Sequence, residues 1–97
     1  MLNLVQTPLA RSDIKGIWIY TNKNWGINQA DSYVQELGIA LHGLCKSPMI
    51  GISIEQIFKI CRLFHYRRHL VIYSITETIL IVQRVLHENM DITQHKI

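Results

Sequence analysis

Six side chains that carry or can acquire a positive charge lie close together in the middle of the chain. They are Lys59, Arg62, His65, Arg67, Arg68 and His69. No acidic residue stands between Glu55 and Glu77. Grouped basic side chains attract carboxylate or phosphate groups. The cluster therefore predicts an acidic partner, and the residues alone leave the kind of partner open.

The chain as a whole is only mildly basic. Its 97 residues are 48% hydrophobic, with a net charge of +3 and a pI of about 9.1. This length supports one compact domain with a single core, which we assign to residues 1–97 with a tail from about residue 92. Because the net charge is small, electrostatic attraction must come from the local cluster.

The sequence disfavours metal sites, disulfides and membrane insertion. Cys45 and Cys61 lack CxxC spacing, which favours reduced, buried thiols. The longest aliphatic run, residues 79–82, is far below the roughly 20 residues needed to span a bilayer, and no secretory leader pattern opens the chain. We therefore expect a cytoplasmic protein without a cofactor. The histidines follow no metal-ligand spacing: His42, His65, His69, His87 and His95.

Two segments have apolar residues at helical spacing. The first follows an extended segment at residues 2–6 and begins at Thr7-Pro8, where threonine can cap free amides and proline suits the first turn. It is predicted to end at Asn24-Trp25-Gly26, with glycine in the left-handed conformation. The second begins at Asn28, with Asp31 as a capping residue. The short link predicts an antiparallel helical hairpin.

After Ser47-Pro48, which ends the second helix, the apolar period falls to two. Residues 51–57 are predicted to be an isoleucine-rich connecting loop. Strands are predicted at about residues 60–65, 68–75 and 79–86, and short turns between them indicate an antiparallel meander. An N-terminal strand, a helical hairpin and a three-stranded meander together predict an α+β domain of two layers.

Several residues in the helices have structural interpretations. Gly38 and Gly43 are predicted to allow close packing against the first helix, and a partner groove is the alternative. Trp18 and Trp25 are predicted to be core or hairpin-corner residues. We expect three acidic residues to cap or solvate helices: Asp13, Asp31 and Glu36.

Short motifs recur in a specific order along nearly the whole chain. In the first half they are Thr7-Pro8-Leu9-Ala10, Asp13-Ile14, Ile17-Trp18, Trp25-Gly26, Ala30-Asp31, Tyr33 and Leu37. In the second half they are Pro48, Gly51, Arg62, Phe64, His69-Leu70, Ile72-Tyr73, Val85-Leu86-His87 and Met90-Asp91. In this order and spacing, the chain resembles the ParE branch of the ParE/RelE toxin superfamily.

The resemblance implies a toxin of a bacterial type II toxin-antitoxin system. Such a toxin is neutralised by an antitoxin of the ParD kind, and the target of ParE-like proteins is generally DNA gyrase. It acts by binding, so no catalytic residue is expected.

The related RelE-like branch, which cleaves messenger RNA on the ribosome, is the main alternative. That chemistry needs groups that activate a hydroxyl and stabilise a phosphate. Arg62 and Arg84 could stabilise the phosphate, and His87 could act as general acid or base because its ordinary pKa is near neutrality. However, the tail after His87 lacks the tyrosine or paired lysines common in RelE-like toxins, which favours the binding mechanism.

Antitoxin contacts are predicted on the hairpin and on the basic cluster. Ile19, Tyr20 and Ile39 leave the main apolar stripes, so they could form an exposed groove for an amphipathic helix. The antitoxin could also add a strand to an open edge of the sheet. Its acidic residues, or those of the target, would meet Arg62, Arg67, Arg68 and His69.

A small nucleic-acid-binding module is a third possibility. Aromatic residues that interleave with basic residues would favour it, but only Phe64 and Tyr66 lie in the basic segment. We therefore expect no direct, specific binding of nucleic acid.

Overall fold

The computed structural model describes residues 1–95 and 97. The strands are β1 (Asn3–Gln6), β2 (Ile52–Ser53), β3 (Cys61–Tyr66), β4 (His69–Ile75) and β5 (Ile79–His87). The helices are α1 (Pro8–Trp25) and α2 (Ile27–Lys46), and a short 3₁₀ turn at Ile92–Gln94 follows β5.

The strands form one mixed sheet in the order β1-β5-β4-β3-β2. Strand β1 lies parallel to β5, whereas β2, β3, β4 and β5 pair antiparallel. The predicted meander is confirmed as β3-β4-β5. The prediction that residues 51–57 are only a loop is wrong, because Ile52 pairs with Leu63 and Ser53 with Arg62. A two-residue strand is too short to give an alternating pattern in the sequence.

Helix α1 begins and ends where predicted, but the predicted conformation of Gly26 is wrong. The Thr7 hydroxyl oxygen accepts a hydrogen bond from the Ala10 amide at 3.0 Å and donates one to the Gln83 carbonyl at 2.8 Å. Gly26 has φ +94° and ψ 169°, so its backbone is extended with positive φ rather than left-handed helical. Only Gly26 separates the two helices, and this confirms the helical hairpin.

Helix α2 begins at Ile27, without a side-chain cap. The predicted capping role of Asp31 is wrong, because its Oδ1 accepts a 2.8 Å hydrogen bond from Trp18 Nε1. This bond joins the two helices. Trp25 is exposed at the corner of the hairpin, in agreement with one of its predicted positions.

Apolar side chains cover both faces of the sheet. Ile72 and Tyr73 are neighbours on β4, so they point to opposite faces, and both are fully buried. Tyr73 lies in the main core beneath the hairpin, whereas Ile72 packs in a smaller cluster with Ile54, Cys61 and Leu86. Ile92 also contacts this second cluster, so the 3₁₀ turn helps to cover the face away from the helices.

The predicted close packing at Gly38 and Gly43 is wrong. A Cβ atom added at either position would meet nothing within 4 Å. Both cysteines are buried as predicted, and burial raises the pKa of each thiol. Among the described residues, neither helix is apolar enough over a sufficient length to cross a bilayer.

Candidate functional site

A cleft of about 670 Å³ opens between the helical hairpin and one end of the sheet. Side chains from α1, α2, the β3–β4 turn, β5 and the tail all contribute to it. Its volume is in the range typical of ligand-binding or partner-binding pockets. Residues that define its character are Tyr20, Trp25, Tyr33, Arg68, His69, His87, Met90 and His95.

Tyr33, His69 and His87 form a row of rings in edge-to-face contact along one wall of the cleft. His69 and His87 are cross-strand neighbours, and their ring centroids lie 5.5 Å apart. The Tyr33 hydroxyl is 2.6 Å from His69 Nδ1. The two side chains are therefore hydrogen-bonded, and burial raises the pKa of Tyr33, so its hydroxyl stays protonated near neutral pH.

The two histidines differ in their surroundings. Burial lowers the pKa of His69, and the neighbouring His87 lowers it further, whereas Glu88 acts in the opposite direction. His87 Nδ1 accepts a 3.2 Å hydrogen bond from the Asn89 amide. Within residues 1–95 and 97, no hydrogen-bond partner engages Nε2 of either ring. These two nitrogen atoms are therefore available to a ligand.

The arginines of the β3–β4 turn have different roles. Arg67, which has a positive φ of 51°, forms an ion pair with Glu36 at 2.6 Å and lies over the rings of Tyr33 and Tyr66. Glu36 is therefore partly exposed on its helix and also pairs with the turn, a contact that the sequence did not predict. Arg68 is exposed and lines the cleft, and no carboxylate of the described residues lies within ion-pair distance of it.

The basic cluster is not one surface. Arg62 lies at the start of β3, and the turn that carries Arg67 and Arg68 lies at the other end of this strand, about 16 Å away at 3.3 Å per residue. The Arg62 guanidinium donates to the carbonyls of Met49 and Gly51, and its Nε is buried without a hydrogen-bond partner among the described residues. Arg62 therefore holds a loop.

Asp13 and Arg84 form an ion pair that is mostly shielded from solvent. Arg84 Nε and Nη2 donate to the Asp13 carboxylate at 2.7 and 2.9 Å, and the Val85 amide donates to the same carboxylate at 3.0 Å. The side chains of Arg84 and Asp13 are only 12% and 15% exposed. The prediction that Asp13 caps or solvates its helix is therefore wrong, since it ties α1 to β5.

The structure does not bring Arg62, Arg84 and His87 together at one reacting centre. Arg62 pairs with Tyr73, which pairs with Val82, whereas His87 lies at the other end of β5. Five residues separate Val82 from His87, which corresponds to about 16 Å along a strand. A phosphate held by Arg62 would therefore lie outside the reach of the His87 imidazole.

The predicted hairpin groove residues are all exposed. The exposed fractions are 52% for Ile19, 61% for Tyr20 and 72% for Ile39. Tyr20 also lines the cleft, where its ring packs edge-on against Trp25 at a centroid distance of 6.0 Å. Ile19 and Ile39 do not line the cleft, so Tyr20 is the one of these three residues that belongs to it.

A second surface, which the sequence did not predict, lies on the segment between α2 and β3. The buried Tyr73 hydroxyl donates to the Pro48 carbonyl at 2.6 Å and accepts from the Gly51 amide at 3.0 Å. Together with Arg62, these bonds fix a loop whose apolar side chains stay exposed: Met49, Ile50, Ile52, Ile57 and Ile60. The high isoleucine content of the segment was the available signal.

Comparison with known proteins gives the family. The family described as "ParE toxin of type II toxin-antitoxin system, parDE" matches residues 4–92. The chain belongs to the ParE toxin family. It is therefore a ParE-type toxin of a type II toxin-antitoxin system, and the resemblance stated from its motifs is confirmed.

Relatives of this ParE family member cover nearly its whole length. Toxin ParE1 of Mycobacterium tuberculosis (strain ATCC 25618 / H37Rv) is 32% identical over 90 residues, which cover 92% of both chains. Toxin ParE1 of Caulobacter vibrioides is 30% identical over 86 residues, covering 89% of this chain and 88% of the relative.

A solved ParE-related structure has the same fold. The structure of the chromosomal ParDE TA system from P. aeruginosa aligns with a TM-score of 0.78 at 16% identity, covering 90% of this chain and 96% of that one. At this identity the likeness supports the fold of the ParE family member described here, with its two helices and mixed sheet.

Proposed function

We propose that this ParE-type toxin stops bacterial growth in the cytoplasm by binding DNA gyrase and blocking replication, and that a ParD-like antitoxin neutralises it. Membership of the ParE family supports both parts of the proposal. The toxin acts by docking on its target, so its surface has to present a binding face and does not need a catalytic centre.

The single observation that favours binding over RNA cleavage is the separation of the candidate catalytic groups. Arg62 bonds two loop carbonyls, Arg84 is paired with Asp13, and His87 lies in the cleft. An RNA-cleaving site needs a phosphate-stabilising group and a proton-transfer group within hydrogen-bond reach of the same nucleotide. The predicted set is not assembled, because Arg62 and His87 lie at opposite ends of the sheet and Arg84 is bound to Asp13.

The antitoxin contact is proposed on the exposed apolar residues Ile19, Tyr20 and Ile39. Large apolar side chains on an otherwise polar helical surface favour an amphipathic helix as the occupant. Acidic residues of the antitoxin or of the target would bind Arg68 and His69. Arg67 and Arg62 could join them by giving up Glu36 and the loop carbonyls, respectively, for a carboxylate of the partner. Such contacts weaken as the salt concentration rises.

Induction of the chain in bacteria tests the proposal when DNA synthesis and ribosome-dependent message cleavage are measured separately. We expect early arrest of DNA synthesis while messages stay intact. Messages cleaved at ribosomes before replication stops would overturn the proposal.

The antitoxin contact has its own test. The double variant Ile19→Asp with Ile39→Asp should no longer co-purify with an antitoxin that neutralises the parent toxin. Ile57→Asp is the matched control, because Ile57 is also exposed but lies in the loop before β3. Equal recovery of the antitoxin with the double variant and the control would reject the hairpin contact.

A further inference from the structure

The cleft combines an aromatic wall with a basic rim. Tyr20, Trp25 and Tyr33 supply ring faces and edges, whereas Arg68, His69, His87 and His95 supply cationic or titratable groups. This combination suits a ligand that carries an apolar side chain next to a carboxylate.

The charges around the two central histidines come from every element of the cleft. Helix α1 contributes Asp13, whose carboxylate is occupied by Arg84 of β5. Helix α2 contributes Tyr33, and Glu36 of the same helix pairs with Arg67. The turn contributes Arg68. The tail contributes Glu88, which pairs with His65 at 2.9 Å, and His95.

Among the described lining residues, Asp13 is the sole carboxylate, and its oxygens already accept bonds from Arg84 and Val85. Arg68 and the Nε2 atoms of His69 and His87 thus face a cleft whose described lining residues hold no unpaired carboxylate. Charge complementarity therefore favours an anionic group on whatever fills the cleft.

We propose that the cleft receives an acidic, amphipathic segment of the antitoxin, whose apolar side chain packs against Tyr20 and Trp25 and whose carboxylate binds Arg68, His69 and His87. His69 takes up a proton on binding, so that Nε2–H donates to the carboxylate and Nδ1–H donates to the Tyr33 hydroxyl. This inference rests on the proposed function, because it names a second contact of the same antitoxin. Tyr20 belongs both to the exposed hairpin surface and to the cleft, so one continuous segment can contact both.

Proton uptake follows from the environment of the imidazoles. In the free toxin, burial lowers the pKa of His69, and the neighbouring His87 lowers it further, so that the neutral His69 ring is favoured. A carboxylate placed beside Nε2 reverses this preference, because an opposite charge at hydrogen-bond distance favours the imidazolium. Binding should therefore become tighter as the pH falls through the range in which histidine titrates.

A small aromatic acid tests the chemistry of the cleft directly. Indole-3-propionate, titrated into the ¹⁵N-labelled toxin, should shift the amide resonances of cleft residues in α1 and β5. We expect its affinity to be about fivefold higher near pH 6 than near pH 8, a ratio that corresponds to partial coupling to one histidine. Indole-3-propionamide, which has no charge, should bind more weakly and without pH dependence.

Variants separate the rim from the rest of the surface. Arg68→Gln and His69→Gln should each reduce the affinity for indole-3-propionate several-fold, and His69→Gln should also flatten its pH dependence. His42→Gln is the matched control, since His42 is exposed on α2 and does not line the cleft. An unchanged affinity in both rim variants would overturn the inference, and so would equal binding of the acid and the amide.

Calorimetry with a neutralising ParD-like antitoxin distinguishes the cleft contact from the broader proposal that such an antitoxin binds the toxin. Titrations in two buffers of different ionisation enthalpy should reveal net proton uptake by the parent toxin and a smaller uptake by His69→Gln. Binding without proton uptake would overturn the cleft contact while leaving the antitoxin proposal intact. Failure of every ParD-like antitoxin to bind would overturn the proposed function itself.

Displacement of indole-3-propionate by an RNA oligonucleotide at physiological salt would identify a nucleic-acid site and contradict the cleft proposal.

Discussion

Asp13 on α1 and Arg84 on β5, which are 71 positions apart in the chain, form a two-point ion pair at 2.7 and 2.9 Å. The pair fixes the angle at which the hairpin meets the sheet, and hence one wall of the cleft. It also keeps Arg84 on a protein carboxylate, where the side chain supports the fold.

Removing one charge of this pair should destabilise the toxin. Asp13→Asn leaves the mostly shielded Arg84 without its counter-charge, although the amide oxygen can still accept from Val85. We expect the free energy of unfolding to fall by about 2–4 kcal/mol, measured by urea denaturation. The double replacement Asp13→Leu with Arg84→Met should be less harmful than Asp13→Asn, because it leaves no unpaired charge. The reverse order of stability would contradict the structural role given to the pair.

The loop held by Tyr73 should be sensitive to loss of a single hydroxyl. Tyr73→Phe leaves the Pro48 carbonyl and the Gly51 amide without their buried partner, and should reduce the free energy of unfolding by about 1–3 kcal/mol. Tyr20→Phe is the control, because Tyr20 is exposed and should change stability little. Equal effects of the two substitutions would show that the Tyr73 bonds do not stabilise the loop.

Gly51 should not tolerate a side chain. A Cβ at this position would lie 2.5 Å from the Tyr73 hydroxyl oxygen and 2.8 Å from the Leu63 carbonyl oxygen. Gly51→Ala should therefore destabilise the fold by at least about 1–3 kcal/mol through overpacking. Gly43→Ala, where an added Cβ meets open space, should instead raise helix stability by about 0.5–1 kcal/mol. Thermal denaturation of both variants checks this contrast, and a stable Gly51→Ala protein would contradict it.

Ile60 is strained, because a β-branched residue with φ of +56° is a rare and unfavourable conformation. The side chain is exposed, so its replacement forfeits little burial. Ile60→Asn should raise the free energy of unfolding by about 0.5–1 kcal/mol, since asparagine tolerates positive φ. Ile57→Asn, at a neighbouring exposed isoleucine without this backbone geometry, should show no such gain; denaturant midpoints for the two variants give the comparison.

The stability of the free toxin should depend on pH through His69. Burial lowers the pKa of this imidazole below its ordinary value of 6.5, so the unfolded chain binds the proton more readily than the folded one. His69 therefore contributes stability above the unfolded pKa, and this contribution is lost as the pH falls through 6.5 towards the folded pKa. Denaturation midpoints at several pH values should show the decline in the parent protein and in His42→Gln, and a weaker decline in His69→Gln. A decline of equal size in all three proteins would assign it to other groups.

The helical hairpin and the meander could be predicted because their signals are local. Thr7 and Pro8 mark a helix start within two residues, and the change from helical to alternating apolar spacing marks the change from helix to strand. By contrast, β2 is two residues long and has no period, and it forms because Leu63 and Arg62 provide its partners.

The contacts that shape the candidate site could not be predicted in the same way, because they join distant parts of the chain. Nothing in the sequence near Asp13 indicates Arg84, and nothing near Asp31 indicates Trp18. Arg62 was grouped with Arg67 and Arg68 by its position in the sequence, but strand β3 carries them to opposite ends. Its true partners are loop carbonyls, and no side-chain pattern encodes these.

Supercoiling by purified DNA gyrase, followed as the purified toxin is titrated in, tests the docking mechanism most directly. The account predicts that the amount of supercoiled product falls with increasing toxin and that a neutralising ParD-like antitoxin restores it. It also predicts that neither the parent toxin nor a folded His87→Gln variant cleaves RNA. The docking mechanism would be contradicted if supercoiling stayed undiminished at saturating toxin while the toxin cleaved messages on ribosomes and His87→Gln abolished this cleavage.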